Sequence, residues 1–343
     1  MLQPRPDGEP RLHRLPDPLP LPRDAAVVVA TSGSTGEPKG VVLTRDALAA
    51  STSASLRRLG CREGERWLLC LPLSHVAGIQ VVLRSRALGV APVVHDRFDV
   101  AAVARTVGAG EVAWVSLVPT QLARLLDAGV DLSPLRGVLL GGAAPARDLL
   151  DRAEAAGVRV TVSYGMTETG GGCVYDGHPL DGVEVEVATD GRIRFRGDTL
   201  LAGYLGRPDL TAEVMADGWF TSEDLGRWSD DGRLEVLGRA DDVIVTGGEN
   251  VAAAVVARAV ETHPLVRAAV VVGRPDPAWG ERVTAVCECL PGGPPDLEAL
   301  RSHLRGVLPP AALPRELIVV DVLPRDRMGK TTRAAVAAML GDR

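Results

Sequence analysis

Thr31-Ser32-Gly33-Ser34-Thr35-Gly36-Glu37-Pro38-Lys39-Gly40 follows directly on an apolar run over residues 25–30. The run reads as a buried strand, the stretch after it as a loop, and a helix is expected from about Asp46. The first six loop residues are all Ser, Thr or Gly. Glycines let a backbone turn its N–H groups toward an anion, and hydroxyls add further donors. Lys39 supplies a point charge suited to phosphate. The G-x-x-x-x-G-K-[ST] spacing of a Walker A loop fails here, because Pro38 separates glycine from lysine. The bland alternative is a flexible surface loop, but so specific a run favours a phosphate cradle.

Working outward from this loop, short apolar runs at 66–71, 91–94, 112–117, 137–140 and 158–163 predict further strands. Helical patterns at 118–128 and 147–156 lie between them, so the alternation predicts an α/β fold with a mainly parallel sheet. After Pro179 the texture changes. Residues 183–187 and 192–196 alternate apolar and polar around Asp190-Gly191, a hairpin pattern, and 234–237 follows the turn Asp231-Gly232. Past Arg239 the pattern starts afresh, with a helix over 251–262, strands at 268–272 and 283–290, a helix from Leu297, a strand at 316–320 and a last helix after Lys330. The expected organisation is a Pro-rich, weakly ordered leader (1–23), a large domain of mainly parallel sheets plus a hairpin-rich segment (24–238), and a small α+β domain (239–343). A chain of 343 residues suits that division.

Composition excludes several classes. A net charge of −6 gives no basic stripe for nucleic acid or an anionic membrane. No apolar run approaches the length of a bilayer span, and the N-terminus has no signal-peptide core. Five cysteines, without a C-x-x-C pair, point to a reducing cytoplasm rather than to disulfides or zinc.

The opening loop resembles the phosphate loop of the adenylate-forming superfamily of acyl- and aryl-CoA ligases, adenylation domains and luciferases, and the remaining motifs appear in that family's order. Tyr164-Gly165-Met166-Thr167-Glu168-Thr169 closes a predicted strand, where open α/β sheets bind ligands. The resemblance implies that Tyr164 packs on adenine, Thr167 touches phosphate and Glu168 holds Mg²⁺, while Gly141-Gly142-Ala143 flanks the adenine. Trp219-Phe220-Thr221-Ser222-Glu223-Asp224 resembles the segment whose aspartate takes both ribose hydroxyls. A carboxylate accepts only, which suits two neighbouring donors, and Asp224 is preferred to Glu223. Arg239-Ala240-Asp241 resembles the hinge, with Arg239 toward the ribose and Asp241 as pivot. Gly247-Gly248 resembles the turn lining the thiol tunnel, and Arg325-Asp326-Arg327-Met328-Gly329-Lys330 the catalytic-lysine loop. Lys330 there would neutralise charge developing as pyrophosphate leaves.

Leu73-Ser74-His75-Val76-Ala77-Gly78 resembles the segment whose histidine closes the acyl pocket, beside Gly165. Nine residues after His75, Arg84 interrupts an apolar stretch. A buried guanidinium needs an anion, so a substrate with a second carboxylate would explain it; a snorkelling surface arginine is the alternative. Residues 116–122 and 171–177 resemble the short actinobacterial o-succinylbenzoate–CoA ligases of menaquinone biosynthesis. The resemblance implies a cytoplasmic AMP-forming acid–thiol ligase acting on a small carboxylic acid with ATP, Mg²⁺ and coenzyme A, and it admits a homodimer. Rival readings are another aryl- or acyl-CoA ligase, a carrier-protein-loading adenylation enzyme, or a non-catalytic nucleotide-binding relative. Thirty residues precede the loop, where most of the superfamily has a long subdomain, so parts of the usual scaffold are expected to be minimal or missing. Asn250 stands where close relatives often have Lys, and the segment after it lacks the usual Pro and Glu, which bears on the CoA channel.

Overall fold

The computed structural model describes residues 2–3, 11–12, 19–32, 38–324 and 333–341. Its spine is five parallel strands in the order Val160–Met166, Gly137–Leu140, Trp114–Leu117, Trp67–Leu69 and Val93–Val94. Gly171–Tyr175 and His178–Pro179 add antiparallel at the Val160–Met166 edge, making a 7-stranded sheet. The three central strands are buried along their whole length, which is why they read as largely apolar runs rather than alternations, with Ser116 the polar exception.

Two layers of helices cover this sheet. On one face lie α1 (Arg45–Leu59) and α2 (Val76–Ala87), whose Leu48, Leu59, Val76 and Val81 join Trp67, Leu69 and Trp114 in one core. The two tryptophan rings stack with centroids 5.6 Å apart. On the other face Val103, Leu122, Leu125 and Leu149 pack around Leu68, Val115 and Val138. α1 begins where the Thr44 hydroxyl accepts the Ala47 N–H at 3.0 Å, a cap worth about 1 kcal/mol, and ends at Gly60 in the left-handed region.

The run at 25–30 is not a buried strand. Ala25–Ser32 pairs antiparallel with Pro38–Thr44, which pairs in turn with Gly203–Tyr204, and Ala26, Val28 and Ala30 are exposed. The phosphate-type loop therefore joins the two arms of a hairpin. The second arm escapes a sequence reading because Pro38 opens it, and proline is tolerated only at such strand ends and edges.

Val183–Val187 and Arg192–Gly197 form the expected hairpin, and the long strand Trp219–Trp228 continues that sheet, flanked by Met215–Ala216 and Leu234–Arg239. Past it, Glu249–Ala252, Val243–Thr246, Gly280–Cys289 and Val266–Asp276 form another sheet, which Glu316–Val320 joins in parallel. Helices Ala253–Val260, Leu297–Leu304 and Arg333–Gly341 accompany it. The helix expected over 251–262 starts later, because Gly247 and Gly248, at φ 59° and 82°, make a two-residue turn that folds 249–252 back as a strand. Two hydrophobic cores here use only residues beyond Arg239. In the leader, Leu2–Gln3 pairs antiparallel with Arg11–Leu12 rather than running free. All five cysteines are unpaired, and among the described residues no helix is long and apolar enough to cross a membrane.

Candidate active site

Three parallel strands end side by side and deliver the site. After Leu117, Gly141 N–H bonds back to the Leu117 carbonyl at 3.0 Å, so Gly141 and Gly142 run across the strand ends. Gly142 takes φ 83°, where its missing Cβ would otherwise meet Val118. After Met166 the chain enters a 3₁₀ turn, Thr167–Thr169. The buried Thr169 hydroxyl ties this turn shut, accepting from Met166 N–H at 3.0 Å and reaching the Gly171 carbonyl at 2.7 Å. Thr167 and Glu168 are thereby held half-exposed at the carboxyl edge, where doubly wound sheets bind ligands.

Gly165 precedes that turn. A Cβ on it would strike the Gly171 carbonyl oxygen of the neighbouring strand and lie 2.9 Å from the Cys173 nitrogen. No side chain fits, so Gly165 is where two backbones close against each other. Tyr164 lies on the same strand. Its hydroxyl donates to Asp224 Oδ2 at 2.8 Å and its ring tilts against Phe195 at 6.0 Å. Burial, and then the Asp224 carboxylate, push the phenol well above its ordinary pKa.

Asp224 comes from the middle of Trp219–Trp228 and stands opposite Arg239 in the ladder. The Arg239 guanidinium lies 3.9 Å from Asp224 Oδ1 and grips Asp241 with two bonds of 2.7 and 2.9 Å. That fork holds the Asp241 carboxyl below its usual range. Arg239 thus joins the candidate ribose acceptor to the candidate pivot. Glu223, its neighbour, pairs outward with Arg192 at 3.2 Å.

The hairpin carrying the opening loop reaches the same place. Thr31 stands opposite Lys39, and the Thr31 hydroxyl bonds the Lys39 carbonyl at 3.4 Å. The Lys39 ammonium lies 5.6 Å from the ring centroid of Tyr204, whose hydroxyl donates to Glu168 Oε1 at 2.9 Å. Tyr204 was invisible to motif reading, since a bare Gly203-Tyr204 pair has no local signature. Ser32 ends the first arm, while Gly33, Ser34, Thr35 and Gly36 lie outside the described residues, as does Lys330.

One carboxylate with a fixed oxygen is a fitting donor for a cation that also rides on phosphate. Among the described residues no three acidic, His or Cys side chains converge to hold a metal by themselves. Mg²⁺, which takes one or two carboxylates plus phosphate oxygens, matches that donor set.

The acyl-pocket candidates separate. His75 is exposed at the start of α2 and makes no capping bond. Arg84, on the same helix, is only 4% exposed. Its Nε donates to Ser55 Oγ at 3.0 Å, one terminal nitrogen lies 3.4 Å from Ser116 Oγ, and the guanidinium sits 5.0 Å over Trp67. Ser55 in turn shares a 2.8 Å bond with the Tyr175 hydroxyl. Its burial rules out the snorkelling alternative, and among the described residues no carboxylate ion-pairs with it, so the cation is buried on neutral groups. Gly247 and Gly248 form a turn of the other sheet, and Gly247 lies against Trp279: its N–H bonds the Trp279 carbonyl at 2.9 Å, and a Cβ on it would meet the ring, while Gly248 has open space around it.

Comparison with known proteins accords with this geometry. The AMP-binding enzyme family matches residues 3–205, and the AMP-binding enzyme C-terminal domain matches residues 255–330. A probable 2-succinylbenzoate–CoA ligase of Mycobacterium tuberculosis is 47% identical over 327 residues, covering 91% of this chain and 84% of that protein. The 2-succinylbenzoate–CoA ligase of Bacillus licheniformis is 36% identical over 333 residues, covering 90% and 69%. The structure of o-succinylbenzoate CoA synthetase from Bacillus subtilis, in complex with the acyl-adenylate intermediate OSB-AMP, aligns with a TM-score of 0.83 at 32% identity, over 92% of this chain and 69% of that one. With matched domains at both ends and nearly half its residues shared with one relative, this chain belongs to the AMP-binding enzyme family.

Proposed function

We propose that the chain is an AMP-forming acid–thiol ligase that makes o-succinylbenzoyl-CoA from o-succinylbenzoate, ATP and CoA, the thioester-forming step of menaquinone synthesis. The named relatives support the reaction, and the observation that carries the substrate is Arg84. A buried guanidinium without a carboxylate partner is a standing cost, and a substrate bearing a second carboxylate removes it. Monocarboxylic acids offer nothing there.

The reaction runs in two steps. In the first, a carboxylate oxygen of the succinyl arm bonds the α-phosphorus of ATP, the bond to the β-phosphate oxygen breaks, and pyrophosphate leaves. Thr31, Lys39 and the Ser32–Gly36 loop cradle the phosphates, Thr167 donates to the α-phosphate, and Gly142 and Tyr164 face the adenine. Asp224, already an acceptor for Tyr164, takes the ribose hydroxyls beside Arg239. Glu168 would hold Mg²⁺, which when bound neutralises phosphate charge. Lys330, which lies outside the described residues, would neutralise the charge developing as pyrophosphate leaves.

In the second step the CoA sulfur bonds the acyl carbon, the acyl–phosphate oxygen bond breaks, and AMP departs. Residues 24–238 form the adenylating domain and 239–343 a mobile one. Their relative rotation about Asp241 would bring the Gly247-Gly248 turn to the thiol, with His75 and Gly165 bounding the acyl group. ATP and CoA as substrates support a cytoplasmic setting for the reaction.

The test is CoA-thioester formation with o-succinylbenzoate, benzoate, succinate and a medium-chain fatty acid in parallel. Strong preference for o-succinylbenzoate is expected. Arg84→Met, which keeps packing on Trp67, should raise its KM roughly tenfold to a hundredfold while leaving benzoate turnover unchanged. Preference for a monocarboxylate, or equal losses for both acids, would refute the pocket reading.

A further inference from the structure

Two opposite charges, Lys39 and Glu168, flank the place assigned above to the triphosphate, and among the described residues no ion pair joins them; Tyr204 stands between, its ring under the ammonium and its hydroxyl on the carboxylate. The ring is 7% exposed, so it is fixed rather than draped. Its backbone is tied to both partners. Leu201 N–H bonds the Glu168 carbonyl at 2.8 Å, Gly203–Tyr204 pairs with Val42 and Val41, and Leu205 N–H bonds the Gly40 carbonyl at 2.8 Å, one residue from Lys39. The Thr211 hydroxyl accepts the Tyr204 N–H at 2.9 Å, which holds the ring's base. Five consecutive residues thus connect the turn that carries Glu168 to the strand that carries Lys39.

We propose that Tyr204 is a positioning residue that keeps Lys39 and Glu168 from pairing with each other and presents one Glu168 oxygen to the metal–nucleotide complex; this rests on the assignment of Glu168 as the Mg²⁺ ligand. A direct Lys39–Glu168 pair would withdraw both groups from the ligand. An aromatic ring accepts a cation on its face at modest strength, so Lys39 is held but remains free to meet phosphate. The phenol donates to Oε1 and occupies that oxygen, which leaves Oε2 for a hard cation. The side chain therefore sorts the two charges by function: the positive one to phosphate, the negative one to metal.

The experiment is calorimetric titration of ATP into the full-length chain at a series of Mg²⁺ concentrations and in EDTA, for wild type, Tyr204→Phe, Tyr204→Leu and Glu168→Gln. Tyr204→Phe keeps the ring and removes only the hydroxyl. It should raise the Mg²⁺ concentration for half-maximal enhancement of ATP binding about tenfold, leaving the melting temperature and metal-free ATP binding unchanged. Tyr204→Leu also removes the ring, so metal-free ATP binding should weaken as Lys39 turns to Glu168. A Tyr204→Phe curve superimposable on wild type, or one in which metal-free and Mg²⁺-dependent binding fall together, would overturn the proposal. If Glu168→Gln leaves the Mg²⁺ dependence unchanged, the assignment of Glu168 itself fails and takes the proposal with it.

Discussion

Asp224 shows how much one side chain can be asked to do. Its carboxylate accepts from the Tyr164 hydroxyl at 2.8 Å and lies 3.9 Å from Arg239, with 20% of the side chain exposed for a ligand. Ribose hydroxyls are donors, and a carboxylate is an acceptor at both oxygens. Asp224→Asn keeps an oxygen for Tyr164 but turns the other position into a donor, so ATP should bind about tenfold to a hundredfold more weakly with little change in folding stability. Glu223→Gln, whose carboxylate already pairs with Arg192, should change ATP affinity less than twofold if the ~0–1 kcal/mol typical of surface pairs holds. Equal losses at both positions, measured by nucleotide titration, would remove the preference for Asp224, and a larger loss at Glu223 would reverse it. Asp224 and Tyr164 were each legible from sequence as nucleotide-site candidates, because each belongs to a recognisable string; that the two bond each other emerges only from the fold. Tyr204 and the Ser55–Arg84–Ser116 cluster were not legible, since their partners lie on different elements and only the fold brings them together.

At the scale of the element, the reading fails where backbone conformation decides against side-chain pattern. Residues 249–252 have the composition of a helix start, yet two successive left-handed glycines turn them into a strand that pairs Val251 with Ile244. Residues 25–44 form a hairpin through Pro38, although their apolar run suggests a buried strand. The central strands were legible because burial on both faces selects mostly apolar residues there. Gly165 offers the sharpest test of element packing. A methyl group there must displace the Gly171 carbonyl or the Cys173 amide, both backbone, so the strands Val160–Met166 and Gly171–Tyr175 would separate locally. Gly165→Ala should cost about 1–3 kcal/mol in denaturant unfolding and weaken ATP binding, because Tyr164 and the Thr167–Thr169 turn move with the strand. Gly157→Ala, at φ 70° with open space around it, should show only the conformational cost of about 1–2 kcal/mol and leave ATP binding intact.

For the whole molecule the question is what holds the two core systems together in this arrangement. Arg258, on the helix Ala253–Val260, donates to the Leu237 carbonyl at 3.3 Å, tying that helix to the strand Leu234–Arg239. Glu261, at the end of the same helix, accepts the Ala269 N–H at 3.0 Å. Its carboxyl pKa is raised, chiefly by burial and further by the negative charge of Asp148, which belongs to the large sheet's helix layer. Charging Glu261 therefore opposes this arrangement. A carboxyl whose folded pKa lies above its unfolded value binds protons more readily when folded, so stability falls as pH rises from the ordinary carboxylate range through the raised value. Glu261→Gln keeps an oxygen for Ala269 but carries no charge. The variant should melt higher than wild type at about pH 8, with the gap closing as the pH drops toward the ordinary carboxylate range. Thermal unfolding followed across that range decides the matter: a gap that stays constant with pH would mean that Glu261 acts through shape alone. A gap that closes on acidification would mean that ionised Glu261 itself destabilises the folded arrangement.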